Sequence, residues 1–216
     1  HSMSSVAHGR RGEVRSRLLG IGFGVATQIL FGYAVWRLFW FLHDGVGVNS
    51  SHSYWRDAAL SLQFAVVHSM LLWPANRARL KRILPEALYG CLFCAATCVT
   101  LLALISNWQA SERVVWQLHG AGATAMRIGL YASWCALLYS LNLTGLGYQA
   151  GLTQWLYWLR GQALPRREFQ PRGAYRLFRH PVYLSFLGLI WFTPRMTVDH
   201  AMLTGIWTVY IFAEVI

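Results

Sequence analysis

The run PRGAYRLFRHPVYLSFLG, residues 171 to 188, joins an arginine-rich turn directly to an apolar segment. Pro181 suits the first position of a helix, because it has no N–H to leave unpaired there. His180 then falls at the N-cap, and the free backbone N–H groups of that helix start face the cytoplasmic interface. A helix amino terminus beside Arg179 and His180 suits an anion such as a carboxylate or phosphate. Tyr175 and Tyr183 add aromatic faces that can stack on a base or meet a cationic sulfonium. The residues themselves describe a site for a small anionic ligand that enters from the cytoplasm beside a membrane.

His68 is a second candidate. It lies six residues before Pro74 in FAVVHSMLLWP, about 9 Å along a helix from its cytoplasmic end. Its imidazole titrates near neutrality and so suits proton transfer. The alternative is a packing histidine bonded to a neighbour, and Ser69 after it can bond its own helix backbone. Ionisable residues in apolar spans signal function or pairing, because each costs about 2.5 to 3.5 kcal/mol at the bilayer centre on insertion scales. Arg37, Asp57 and Arg127 are the others singled out here. Arg37 can snorkel outward, while Asp57 and Arg127 approach from the outer side and are expected to pair.

The elements that position these residues are apolar. Of the 216 residues, 56% are hydrophobic and 12% charged, against about 25% charged in soluble domains. A water-soluble enzyme is excluded. Apolar segments cover residues 18–42, 55–73, 87–106, 120–143, 182–194 and 198–216, and all read as helices. The expected fold is all-α, a polytopic transmembrane helical bundle of five to six membrane segments, with the last two forming a helical hairpin.

The net charge is +11, and Lys81 is the sole lysine. The basic residues cluster beside the apolar segments, so the charge reports topology and predicts no nucleic-acid partner. Four arginines precede the first segment, none lies in 43–54, four basic residues lie between Pro74 and Glu86, and six arginines lie in 144–181. That alternation puts the amino terminus in the cytoplasm. Trp155, Tyr157 and Trp158 suit headgroup depth, which makes residues 152–163 an interfacial anchor. Cys91, Cys94 and Cys98 share one helix face, a small-residue packing face rather than a metal site, and Cys135 lies in another span.

A single domain over 18–216 is the economical reading. Residues 1–17 read as a cloning scar, His-Ser-Met, followed by a basic cytoplasmic segment.

The run GAYRLFRHPVYLSFLG resembles the Arg-His-Pro-x-Tyr signature of integral-membrane methyltransferases, the group that includes isoprenylcysteine carboxyl methyltransferase. FAVVHSMLLWPANRARLKRILPEALYGCLF and RHPVYLSFLGLIWFTPRMTVDHAM resemble more closely the membrane-bound methanethiol S-methyltransferases and the NnrU-like proteins. The likeness spans most of residues 60 to 212. Two departures accompany it. Residues 141–149, LNLTGLGYQ, carry no histidine where the methanethiol enzymes are expected to have one, and the charged tail expected after the last helix does not follow.

The resemblance implies a bacterial inner-membrane enzyme that moves a methyl group from S-adenosylmethionine to a small thiol such as methanethiol. Tyr175, Arg179, His180, Pro181, Val182 and Tyr183 would bind the cofactor, and His68 is the expected catalytic base. Two alternatives stay open: a lipid-like or isoprenylcysteine-like acceptor, and an NnrU-like accessory protein that binds haem or metal through His68 and another histidine. Membrane lipids are the other expected partners, and the oligomeric state is not specified by the sequence.

Overall fold

Prolines and glycines punctuate the apolar runs and set where the helices stop. A computed structural model describes residues 2–48, 51–166, 173 and 180–215. In chain order these form α1 (Ser2–Asp44), α2 (Tyr54–Leu72), α3 (Pro74–Ile83), α4 (Glu86–Asn107), β1 (Val114–Gln117) and α5 (Ala121–Thr144). The short α6 (Leu146–Gln149) and α7 (Leu152–Leu159) follow, and then α8 (Pro181–Trp191), β2 (Arg195–Thr197) and α9 (Val198–Val215). Of the described residues 79% are helical, so the fold is nearly all-α.

Trp73 precedes Pro74 and has extended dihedrals, φ −63° and ψ 125°. A residue before proline avoids the helical region, so α2 ends at Leu72 and α3 leaves at 70° to it. Among the described residues, two helices, Gly9–Asp44 within α1 and α4, are long and apolar enough to cross a membrane, and the bent α2–α3 pair makes a third if it counts as one span. Length and hydropathy thus support two or three spans and do not establish the five to six expected from the sequence. The protein is an integral membrane protein with a helical core.

α1 lies along α4, α2 packs between α4 and α9, and α5 packs on α8. The expected hairpin of the last two segments exists as a connection through β2. Thr204 Oγ1 donates to Ile190 O at 3.1 Å, and His200 Nε2 lies 2.9 Å from the same oxygen. Yet α8 packs chiefly against α5, and α9 against α2. The α5–α8 approach needs Gly188, where a Cβ would overlap the Ser133 hydroxyl. Leu104, Leu130, Leu189, Ile190 and Leu203 fill the centre, all buried. Between helices in lipid, such close packing replaces the hydrophobic drive that operates in water.

The cysteine face on α4 is packed: Cys91, Cys94 and Cys98 are buried and free, and Cys135 on α5 is exposed. α7 departs from a simple interfacial anchor. Trp155 is buried and its indole N–H donates to Gly20 O at 3.1 Å, against a stretch of α1 where a Cβ at Gly24 would overlap the indole. Arg17 caps the end of α7 by donating to Leu159 O at 2.9 Å.

The residues between α4 and α5 and between α8 and α9 hold strands that the apolar pattern did not announce. β1 and β2 are antiparallel, with Val114 opposite Thr197 and Gln117 opposite Arg195. Val48 bridges to Ala110 beside them. Two buried carboxylates tie this end together. Asp199 accepts from Trp108 Nε1 at 2.8 Å and from Ser111 N at 2.9 Å. Asp57 accepts from Gln109 N at 3.0 Å and pairs with His52 Nε2 at 2.8 Å. The expected Asp57–Arg127 pair does not form; the Gln109 amide and His52 meet the Asp57 carboxylate. Arg127 instead donates to His43 O at 2.6 Å, and Arg37 donates to Tyr33 Oη at 2.8 Å on the next turn of its own helix.

Candidate functional site

The up-and-down course of the helices gathers the candidate residues at the end opposite the strands. α2 runs away from the sheet and delivers His68 and Ser69 near its last turn. α9 runs in the same direction and delivers Tyr210 and Glu214, four residues apart and so on one helix face. α8 runs the other way and starts at this end with Pro181.

His68 stacks on Phe64, 5.9 Å between ring centroids and one turn earlier on α2, and also meets Phe93 of α4 at 5.1 Å. Those rings fix the imidazole plane. Its Nδ1 lies 3.1 Å from Tyr210 Oη. Ser69 Oγ is 2.8 Å from the same phenol and 3.1 Å from Glu214 Oε1. Ser69 does not turn back onto its own helix, as its type would allow; it links α2 to α9.

Proton counting gives this chain two consistent orders. A serine hydroxyl and a phenol each carry one proton. If Tyr210 donates to His68 Nδ1, then Ser69 donates to Tyr210, and the Glu214 carboxyl must carry a proton to donate to Ser69. If Ser69 donates to Glu214, then Tyr210 donates to Ser69 and His68 Nδ1–H donates to Tyr210. Switching between the two orders changes the tautomer of His68. Among the described residues, His68 Nε2 makes no hydrogen bond, and it is the nitrogen free to exchange a proton with a ligand.

Helix α8 begins as the sequence predicts. His180 is its N-cap, with φ −136° and ψ 67°, and Pro181 holds the first helical position. His180 makes no side-chain capping bond, so its side chain does not satisfy the first-turn N–H groups of Val182 and Tyr183. That geometry fits the carboxylate of a small ligand. Pro181 is buried and Val182 half-buried. The Tyr183 ring lies 5.4 Å from the His180 ring and close enough to Tyr210 for the two phenols to interact electrostatically. The two groups of candidates, separated by more than 100 residues in sequence, therefore lie at the same end of the bundle. Tyr175 and Arg179 lie outside the described residues.

Tyr210 and Glu214 were missed by sequence reasoning. The available signal was an acidic residue inside an apolar run, one turn from a tyrosine. Among the described residues, no group of three or more His, Cys, Asp or Glu side chains is placed to hold a metal.

The methanethiol S-methyltransferase of Pseudomonas deceptionensis is 26% identical to this chain over 171 residues, 79% of this chain and 65% of that protein. Methanethiol S-methyltransferase 2 of Bradyrhizobium diazoefficiens is 30% identical over 149 residues, 68% of this chain and 57% of that protein. The chain is a homologue of the methanethiol S-methyltransferases. Nurim of Rattus norvegicus is also similar, 29% identical over 165 residues, 72% of this chain and 62% of nurim. These relatives are consistent with a membrane methyltransferase superfamily that is isoprenylcysteine carboxyl methyltransferase-like. The chain spans 57% to 66% of the length of the first three methanethiol relatives it matches. No family model and no solved structure matches it.

Proposed function

We propose that this protein is a membrane-embedded methyltransferase that moves a methyl group from S-adenosylmethionine to a small thiol such as methanethiol, giving dimethyl sulfide. The observation that supports the reading is that the His68–Tyr210–Ser69–Glu214 chain lies at the same end of the bundle as the start of α8, where the N-cap His180 makes no side-chain capping bond. The first turn of α8 at Pro181, Val182 and Tyr183, with His180 and Arg179, would hold the methionine carboxylate, and Tyr175 and Tyr183 would line the nucleoside and sulfonium. When bound, the cofactor supplies a methyl carbon already activated by its sulfonium.

The protein then has two tasks, positioning and deprotonation. A thiol has a pKa of about 8.5 or above, so at neutral pH it is mostly protonated. His68 Nε2 takes that proton while Tyr210 holds Nδ1 in the tautomer that leaves Nε2 open. The thiolate so formed would be the nucleophile, and the bound cofactor would supply the methyl group and leave as S-adenosylhomocysteine. Glu214, through Ser69 and Tyr210, offers the proton on His68 a route toward the membrane surface.

A lipid-like acceptor is the second reading, favoured by an apolar groove beside Ser69 and Tyr210. The deciding experiment gives the purified protein methyl-deuterated S-adenosylmethionine and methanethiol and follows the headspace by mass spectrometry. Labelled dimethyl sulfide that grows with enzyme and time is the expected result. Cofactor binding without that product moves the acceptor to a lipid, and absence of both overturns the enzyme reading.

A further inference from the structure

The outer faces of α2 and α9 diverge around a groove of about 980 Å³. Leu62, Val66 and Met70 form one wall, Val209 stands on the other, and Arg79 of α3 closes the mouth. Apolar exposure alone says nothing in a bilayer, where lipid tails cover any such face. Two further features single out this one. Its long axis, from Leu62 to Trp73, is about 16 Å at 1.5 Å per residue, close to half of the roughly 30 Å hydrocarbon core. Its mouth also lies where the headgroups begin, because α3 leaves α2 at 70° and so runs near the membrane plane when α2 crosses it.

α3, PANRARLKRI, has no buried residue and carries four cations. Two of these are turned to the protein: Arg77 lies over the Tyr89 ring at 5.4 Å, and Lys81 pairs with Glu86 at 2.6 Å. Arg79 lines the groove instead, next to Asn76. A cation at headgroup depth above an apolar slot one leaflet deep matches an amphiphile with a negative head and a hydrocarbon tail.

We propose that this groove holds one acyl chain of an anionic phospholipid, with the phosphate on Arg79. The lipid is a ligand of the α2–α3–α9 surface, and its binding is read without turnover, so this proposal does not rest on the methyltransferase reading. Gly205 lines the slot and offers a direct block, since a Cβ there meets nothing within 4 Å and a larger side chain would extend into it.

The test offers the detergent-purified protein equimolar phosphatidylglycerol and phosphatidylcholine with identical chains and counts bound lipid by intact-complex mass spectrometry. Phosphatidylglycerol should be retained with about fivefold preference, the effect of one cation near the surface. Arg79→Gln should bring the ratio close to one, whereas Arg82→Gln, outside the groove, should leave it unchanged. Gly205→Phe should lose both lipids. Equal retention by the unmodified protein, an unchanged ratio in Arg79→Gln, or displacement of the lipid by inorganic phosphate would overturn the proposal. If Gly205→Phe does not fold, the lipid ratio and the two arginine variants decide.

Discussion

The two ends of the bundle handle polar groups in opposite ways. At the strand end, Asp57 is fully buried and Asp199 is 3% exposed, and each carboxylate is met by two partners, of which at least one belongs to the loop between α4 and β1. At the other end, Glu214 is exposed and Tyr210 half-buried, joined through single hydrogen bonds, while His180 leaves the start of α8 without a side-chain cap. A buried carboxylate with both oxygens engaged by fixed partners clamps. A chain of neutral donors ending at an exposed acid can reverse its order and so can pass a proton. The contrast separates residues kept for architecture from residues available for chemistry, although both sets are polar groups in an apolar protein.

Removing a clamp should have the largest effect on stability. Asp199→Ala leaves the Trp108 indole N–H and the Ser111 amide without their buried acceptor and should destabilise the protein by about 2 to 5 kcal/mol. Denaturant unfolding in mild detergent measures this, and cofactor affinity of the folded fraction should be unchanged. A loss below 1 kcal/mol would break the claim that the strand end is the structural one. Gly188→Ala should come next, at about 1 to 3 kcal/mol, because the added carbon forces α5 and α8 apart at Ser133; a thermal melt reads it.

Tyr210→Phe sharpens the contrast from the other side. The ring and its packing stay, so stability should shift by about 1 kcal/mol or less, while turnover falls by about tenfold because His68 loses the group that sets its tautomer. A fall in stability with turnover preserved would turn that chain into a second clamp. Lys81→Gln should do least. Its pair with Glu86 is exposed, so the change should stay within about 0.5 kcal/mol on melting.

The helices were legible because apolar runs end at recognisable punctuation. The segment expected at 55–73 is α2, Tyr54–Leu72, and the one expected at 87–106 is α4, Glu86–Asn107. The start of α8 at Pro181 was legible for the same reason. α3 was not, since its ten residues read as a basic loop, and the strands of four and three residues carry too little alternation to stand out. Asp57 was recognised as an ion in a span, but its partners were not, because they come from a loop distant in sequence. Sequence placed His68 and the His180 run in the site separately. What sequence did not show is that Tyr210 bonds His68, which depends on α9 lying beside α2, and helix adjacency is not written in hydropathy.

The central claim is that His68 serves chemistry and not packing, and one paired measurement on His68→Ala tests it. Methyl transfer from labelled S-adenosylmethionine and the affinity for that cofactor are determined on the same folded sample. The account predicts that turnover falls by about 10² to 10⁴-fold, the range for loss of a positioned acid–base group, with affinity unchanged. Equal loss of both, or turnover that persists, would contradict it and return His68 to the packed core of α2, α4 and α9.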